Sequence, residues 1–174
     1  YQAMRAAIGD SPFRWFLFFQ AQALVVGLFA IPFAAAAGAD ADGIEPLMLA
    51  AVAVWLVAIG GETLADRQLD AFRRDPANRG RICRDGLWAW SRHPNYFFEW
   101  VHWFAYVLLA ACGPYLLWSL VGPVVMFAFL WRVSGIPWTE AQALRSRGEA
   151  YRRYQREVSA FFPWPPKAAP PSSD

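Results

Sequence analysis

Beginning at Trp15, the chain runs without a charged residue to about Ala37, and an apolar run of that length fits few places other than a lipid bilayer. Three more predominantly apolar runs follow, at Pro46 to about Gly61, about Tyr96 to Ala111, which carries Glu99 and His102, and Tyr115 to about Val133, with Arg132 at its end. Backbone polar groups inside hydrocarbon must be satisfied within their own segment, so runs of this kind are expected to be helices. Composition agrees: 57% of residues are hydrophobic, 17% aromatic and 17% charged, outside the usual range of a soluble domain. The sequence therefore predicts an all-α, polytopic membrane helix bundle with four transmembrane spans and a C-terminal interfacial helix.

Punctuation supports these bounds. Pro32 is expected to kink the first span and Gly122-Pro123 the last, and Gly113-Pro114 to close the third. Asp40, Asp42 and Glu45 form a small acidic loop, whereas Asp75 to Gly86 mixes Pro and Gly with Arg79, Arg81 and Arg84 in a strongly positive one. After SGIP, a polar helix with Thr139, Glu140 and five arginines between Arg145 and Arg156 is expected to lie on the membrane surface. Phe161-Phe162-Pro163-Trp164 is expected to anchor in the interface. Residues 1–166 form one membrane domain in this reading, and 167–174 a disordered tail. With four spans, all 16 Lys and Arg residues fall on one side, which the positive-inside rule makes the cytoplasm and, for a bacterial chain, the inner membrane. Tyr1 stands where an initiator methionine would be, no signal-peptide pattern opens the chain, and an upstream part is expected.

The chemistry gathers where the basic loop meets the third span, in SRHPNYFFEW from Ser91 to Trp100. Asn95, Glu99, His102 and Tyr106 recur at spacings of four, three and four, which places them on one stripe of a helix. Ionisable groups inside a membrane mark functional sites by default, although a stripe that only bonds to neighbouring helices would look the same. Upstream, Glu62, Asp66 and Arg73 share a helix face. Carboxylates and amides suit ribose hydroxyls or a carboxamide, and the guanidinium groups of Arg73, Arg81 and Arg92 suit phosphate oxygens, so a nucleotide-type cofactor is expected. No dinucleotide-binding or phosphate-loop glycine pattern is present, two cysteines and two histidines do not make a metal site, and no nucleic-acid partner is expected.

The run from Arg81 through Gly86-Leu87-Trp88, SRHPNY, Glu99-Trp100, SGIP and SAFFPW, together with the opening YQAMR, resembles the bacterial membrane family allied to the steroid 5-alpha-reductases. RHP-x-Y alone is shared with enzymes similar to isoprenylcysteine carboxyl methyltransferase. The resemblance implies a bundle of about seven spans, of which this chain is the C-terminal part, holding NADPH and passing hydride to a carbon-carbon double bond of a lipophilic enone. It implies cofactor contacts at Glu62, Asp66, Arg73, Arg81, Arg92, Asn95, Tyr96 and Glu99. Two departures accompany it. Phe98 stands where that family usually has glycine, and the Glu and Tyr that polarise the substrate ketone fall in upstream spans, which leaves the catalytic acid unassigned, with His102 and Tyr106 its candidates by proximity. The alternatives are an S-adenosylmethionine-dependent methyltransferase on the same fold, and a non-enzymatic scaffold whose basic helix binds anionic lipid.

Overall fold

The computed structural model of the protein describes residues 9–39 and 46–167. The opening YQAMR with Arg5, the acidic loop with Asp40, Asp42 and Glu45, and the tail beyond Lys167 lie outside the described residues. Among the described residues six α-helices follow in order: α1 Pro12–Ala37, α2 Pro46–Arg74, α3 Pro94–Ala110, α4 Leu116–Ser119, α5 Val121–Ala128 and α6 Ile136–Glu157. Two 3-10 turns, Pro76–Asn78 and Gly86–Ala89, interrupt the loop between α2 and α3, and a π-helical turn, Phe129–Val133, joins α5 to α6. Proline opens α1, α2 and α3, where its missing N–H costs nothing because the first amides of a helix have no partner in any case.

The all-α membrane bundle is as expected. Among the described residues, three helical stretches are long and apolar enough to cross a bilayer: Pro12–Ala37, Pro46–Arg74 and Leu116–Glu157. The remaining expected span, Pro94–Ala110, has 17 residues and stands at the lower limit of what crosses. Central α3 packs along α2 on one side and along α1 on the other. Pro32 sits inside a continuous α1 and is buried. The break in the last span falls at Leu120 rather than at Gly122-Pro123 itself. Pro123 has no N–H to offer the carbonyl four residues earlier, that of Ser119, so the interruption appears one turn upstream of the proline. Gly122 serves packing instead: a Cβ there would lie 2.5 Å from the Trp103 ring and 2.8 Å from Pro32.

At the arginine-rich end the loop and the C-terminal segment are sewn to the helices by main-chain groups. Trp88 Nε1 donates to the Ala65 carbonyl at 2.8 Å, Gln68 Oε1 accepts from the Leu87 amide at 2.9 Å, and the Tyr154 hydroxyl donates to the Trp88 carbonyl at 2.6 Å. Ser91 Oγ donates to the Phe161 carbonyl at 2.8 Å, and the Arg92 amide to Ser159 at 2.8 Å. Two expectations change here. Phe161 is no interface anchor: at 1% exposed it packs with Leu130 and Ile136 among Phe97, Trp100 and Phe127, and only Phe162 and Trp164 stay exposed. The apolar stripe of α6, Tyr151 and Tyr154 with the following Val158, is buried against Ile82 of the basic loop and so is not presented to lipid. Helix α6 is also bent at Gly148, whose φ of 52° and ψ of −125° divide it into two arms.

Candidate functional site

Where α2, the basic loop, the start of α3 and both arms of α6 converge, they enclose a cleft of about 380 Å³, within the usual range for small-molecule sites. Asp66 and Arg73 come from α2, Cys83 and Trp88 from the loop, and Arg92, His93, Asn95 and Tyr96 from the mouth of α3. The first arm of α6 adds Thr139, Ser146 and Arg147, and the second adds Tyr151 and Tyr154. Of the residues expected from sequence, Asp66, Arg73, Arg92, Asn95 and Tyr96 are thus brought together. Glu62, Arg81 and Glu99 lie outside the lining.

Asn95 Nδ2 donates to Asp66 Oδ1 at 3.1 Å, a solvent-exposed bond that ties α2 to α3 beside the cleft. The other half of that amide, Asn95 Oδ1, is buried and has no partner among the described residues. A buried acceptor left unsatisfied costs about 1–3 kcal/mol. Arg73 is exposed, and neither it nor Arg147 forms a salt bridge among the described residues, which leaves two cations on the rim. Arg147 Nε donates to the Arg81 carbonyl at 3.1 Å, while the Arg81 guanidinium donates outward to Asn78 Oδ1 at 3.2 Å. Arg81 therefore acts on the cleft through its backbone.

Arg92 is occupied differently from the expectation. Its Nε donates to Glu140 Oε1 at 2.7 Å and its Nη1 to the carbonyls of Gln155 and Val158 at 2.9 and 2.7 Å. This guanidinium is a staple between α3 and α6, and its Nε and Nη1 are already spent. Glu140 also faces His93 Nε2 at 3.3 Å and accepts from Gln155 Nε2 at 2.8 Å. Burial pushes the Glu140 carboxyl up, but the hydrogen bonds from His93, Arg92 and Gln155 and the charge of Arg92 outweigh it and hold the group at about 2. Burial, reinforced by Glu140, pushes the Tyr151 phenol up to about 12, so it stays a neutral hydroxyl. Glu140, His93 and Gln155 were not singled out from sequence. One signal was available: a guanidinium heading an apolar helix requires a carboxylate partner, and Glu140 sits in the first turns of the next polar helix.

Toward the membrane the polar stripe continues. Glu99 lies close enough to Glu62 and Asp66 to feel their charge. His102 Nε2 and the Tyr106 hydroxyl are 3.0 Å apart. Phe98 packs against the opposite helix where Gly61 leaves room for it: a Cβ on Gly61 would lie 2.4 Å from its ring. Among the described residues no three His, Cys, Asp or Glu side chains converge as metal ligands, and the two cysteines are free.

Fold and cleft together define an integral membrane helix bundle with a polar, cation-rimmed cleft at its arginine-rich end. The family described as "Protein of unknown function (DUF1295)" matches residues 1–158, and the chain belongs to it. No curated protein and no solved structure matches the chain.

Proposed function

We propose that the chain is the cofactor-binding part of an NADPH-dependent membrane reductase, allied to the steroid 5-alpha-reductases, that saturates a carbon-carbon double bond in a lipophilic enone. The observation that carries this reading is the buried Asn95 Oδ1, without a partner among the described residues, beside Asp66 in a cleft also lined by Arg73 and Arg147, which form no ion pair among those residues. A ligand with an amide or hydroxyl donor and separate phosphates fits that donor and acceptor set. NADPH, when bound, supplies hydride. Asn95 and Asp66 would hold its donor groups, Arg73 and Arg147 its phosphates, and Tyr96 and the neutral Tyr151 would flank it. The His102–Tyr106 pair, on the membrane side of Glu99, can hold a proton near an apolar substrate. The positive-inside distribution supports a cleft on the cytoplasmic face of a bacterial inner membrane.

S-adenosylmethionine is the competing ligand, since Asp66 and Asn95 would suit its ribose and amino-acid groups. It carries no phosphate. The unpaired state of Arg73 and Arg147 therefore favours NADPH. Titration of both ligands against wild type and Arg73→Ala/Arg147→Ala in detergent tests this: the double substitution should weaken NADPH at least tenfold. Tight, substitution-insensitive binding of S-adenosylmethionine with no NADPH binding would overturn the reading.

A further inference from the structure

His93 is buried at 5% exposure, lines the cleft, and is fixed on three sides. Its ring lies flat on Tyr96, with centroids 5.3 Å apart and an interplanar angle of 4°. Its backbone amide donates to Ser91 Oγ at 3.1 Å. Its Nε2 faces Glu140 Oε1 at 3.3 Å, and that carboxylate is itself anchored by Arg92 and Gln155. Nδ1, the remaining polar atom of the ring, has no hydrogen-bond partner among the described residues.

An ionised carboxylate only accepts hydrogen bonds, so the nitrogen facing Glu140 must carry a proton. In the neutral ring that leaves Nδ1 with its lone pair, because which nitrogen is protonated is set by the bond the other one makes. We propose that Glu140 is a positioning residue that holds His93 in its Nε2–H tautomer, so that Nδ1 is presented to the cleft as an acceptor for a hydroxyl or amide N–H of the bound nucleotide. The inference rests on the reductase reading for the identity of that ligand and adds to it a recognition residue. Arg92 and Gln155 act one step further out, because they keep the carboxylate ionised and aimed. The arrangement also couples the cleft to α6, since Glu140 lies on its first arm and Gln155 on its second, either side of the Gly148 bend.

The chain has two histidines, so ¹⁵N-histidine NMR of the full protein in detergent resolves the tautomer directly. With the ring neutral, His93 should show a protonated Nε2 and a bare Nδ1, assigned by loss of its signals in His93→Phe. Adding NADPH should move the Nδ1 resonance. In Glu140→Gln the neutral amide holds the tautomer less firmly, so an Nδ1–H population should emerge and NADPH should bind about three- to tenfold more weakly. His93→Phe keeps the stacking on Tyr96 and should show a similar loss with unchanged helicity. An Nδ1–H tautomer in wild type, or NADPH binding that leaves Nδ1 unmoved, would overturn this inference alone. Absence of NADPH binding to wild type would instead overturn the reductase reading and remove the ligand contact with it.

Discussion

Asn95 gives its amide nitrogen to Asp66 at 3.1 Å and keeps its amide oxygen buried with no donor among the described residues. A side chain half satisfied in this way carries a standing cost, which a ligand donor reaching the oxygen would remove. Asn95→Ala deletes the orphan acceptor along with one hydrogen bond, so the two effects offset. Thermal unfolding in detergent without ligand should show the variant within about 1 kcal/mol of wild type. A loss of several kcal/mol would mean that Asn95 is a structural residue.

Arg92 should behave in the opposite way. Its side chain is 10% exposed and its partner Glu140 15%, and breaking a buried pair by removing one member costs about 3–5 kcal/mol because the other charge is stranded. Arg92→Ala should therefore lower the unfolding temperature sharply, while Arg73→Ala, at an exposed position without an ion pair, should leave it nearly unchanged. Equal effects on stability would contradict the division between staple and rim.

Acid should act through the same pair. Glu140 is held at about 2, below the ordinary glutamate value of about 4.3. The stability it contributes is therefore fully present above that ordinary value and is lost as pH falls toward 2. Discounted for solvent screening, the loss is on the order of 2 kcal/mol. Thermal melts from pH 6 down to pH 2 should show wild type losing more stability than Glu140→Gln, and parallel curves would contradict the assignment.

Across the helix interface, Gly61 and Phe98 are a matched pair. Gly61→Ala puts a methyl into the Phe98 ring and should cost about 1–3 kcal/mol by overpacking. Phe98→Ala in that background should restore much of the loss, since the ring is what the methyl meets. If the double variant is no better than Gly61→Ala, the pair is not coupled.

Much of the fold was legible in the sequence because the bilayer imposes length and apolarity on each span, and because Pro12, Pro46 and Pro94 mark helix starts by their missing N–H. The meeting of Asp66 with Asn95 was also foreshadowed, since each stands on a polar stripe at helical spacing. The roles of the arginines were not. Arg92 reaches partners 48 to 66 residues away, and nothing in local spacing tells a guanidinium that will be buried in protein from one left on a rim. Phe161 misled for a related reason: FFPW reads the same whether its first ring meets lipid or, as here, Phe97 and Phe127. Glu140 lay among arginines on a helix that reads as interfacial, which hid a buried carboxylate.

Whether NADPH occupies this cleft and meets the Asn95 oxygen is read directly by a fluorescence titration of NADPH against purified wild type and Asn95→Ala at matched detergent and pH. Wild type should bind saturably, and Asn95→Ala should bind about tenfold more weakly with its unfolding temperature preserved. Equal affinities for the two proteins, or no NADPH binding to wild type, would contradict the account.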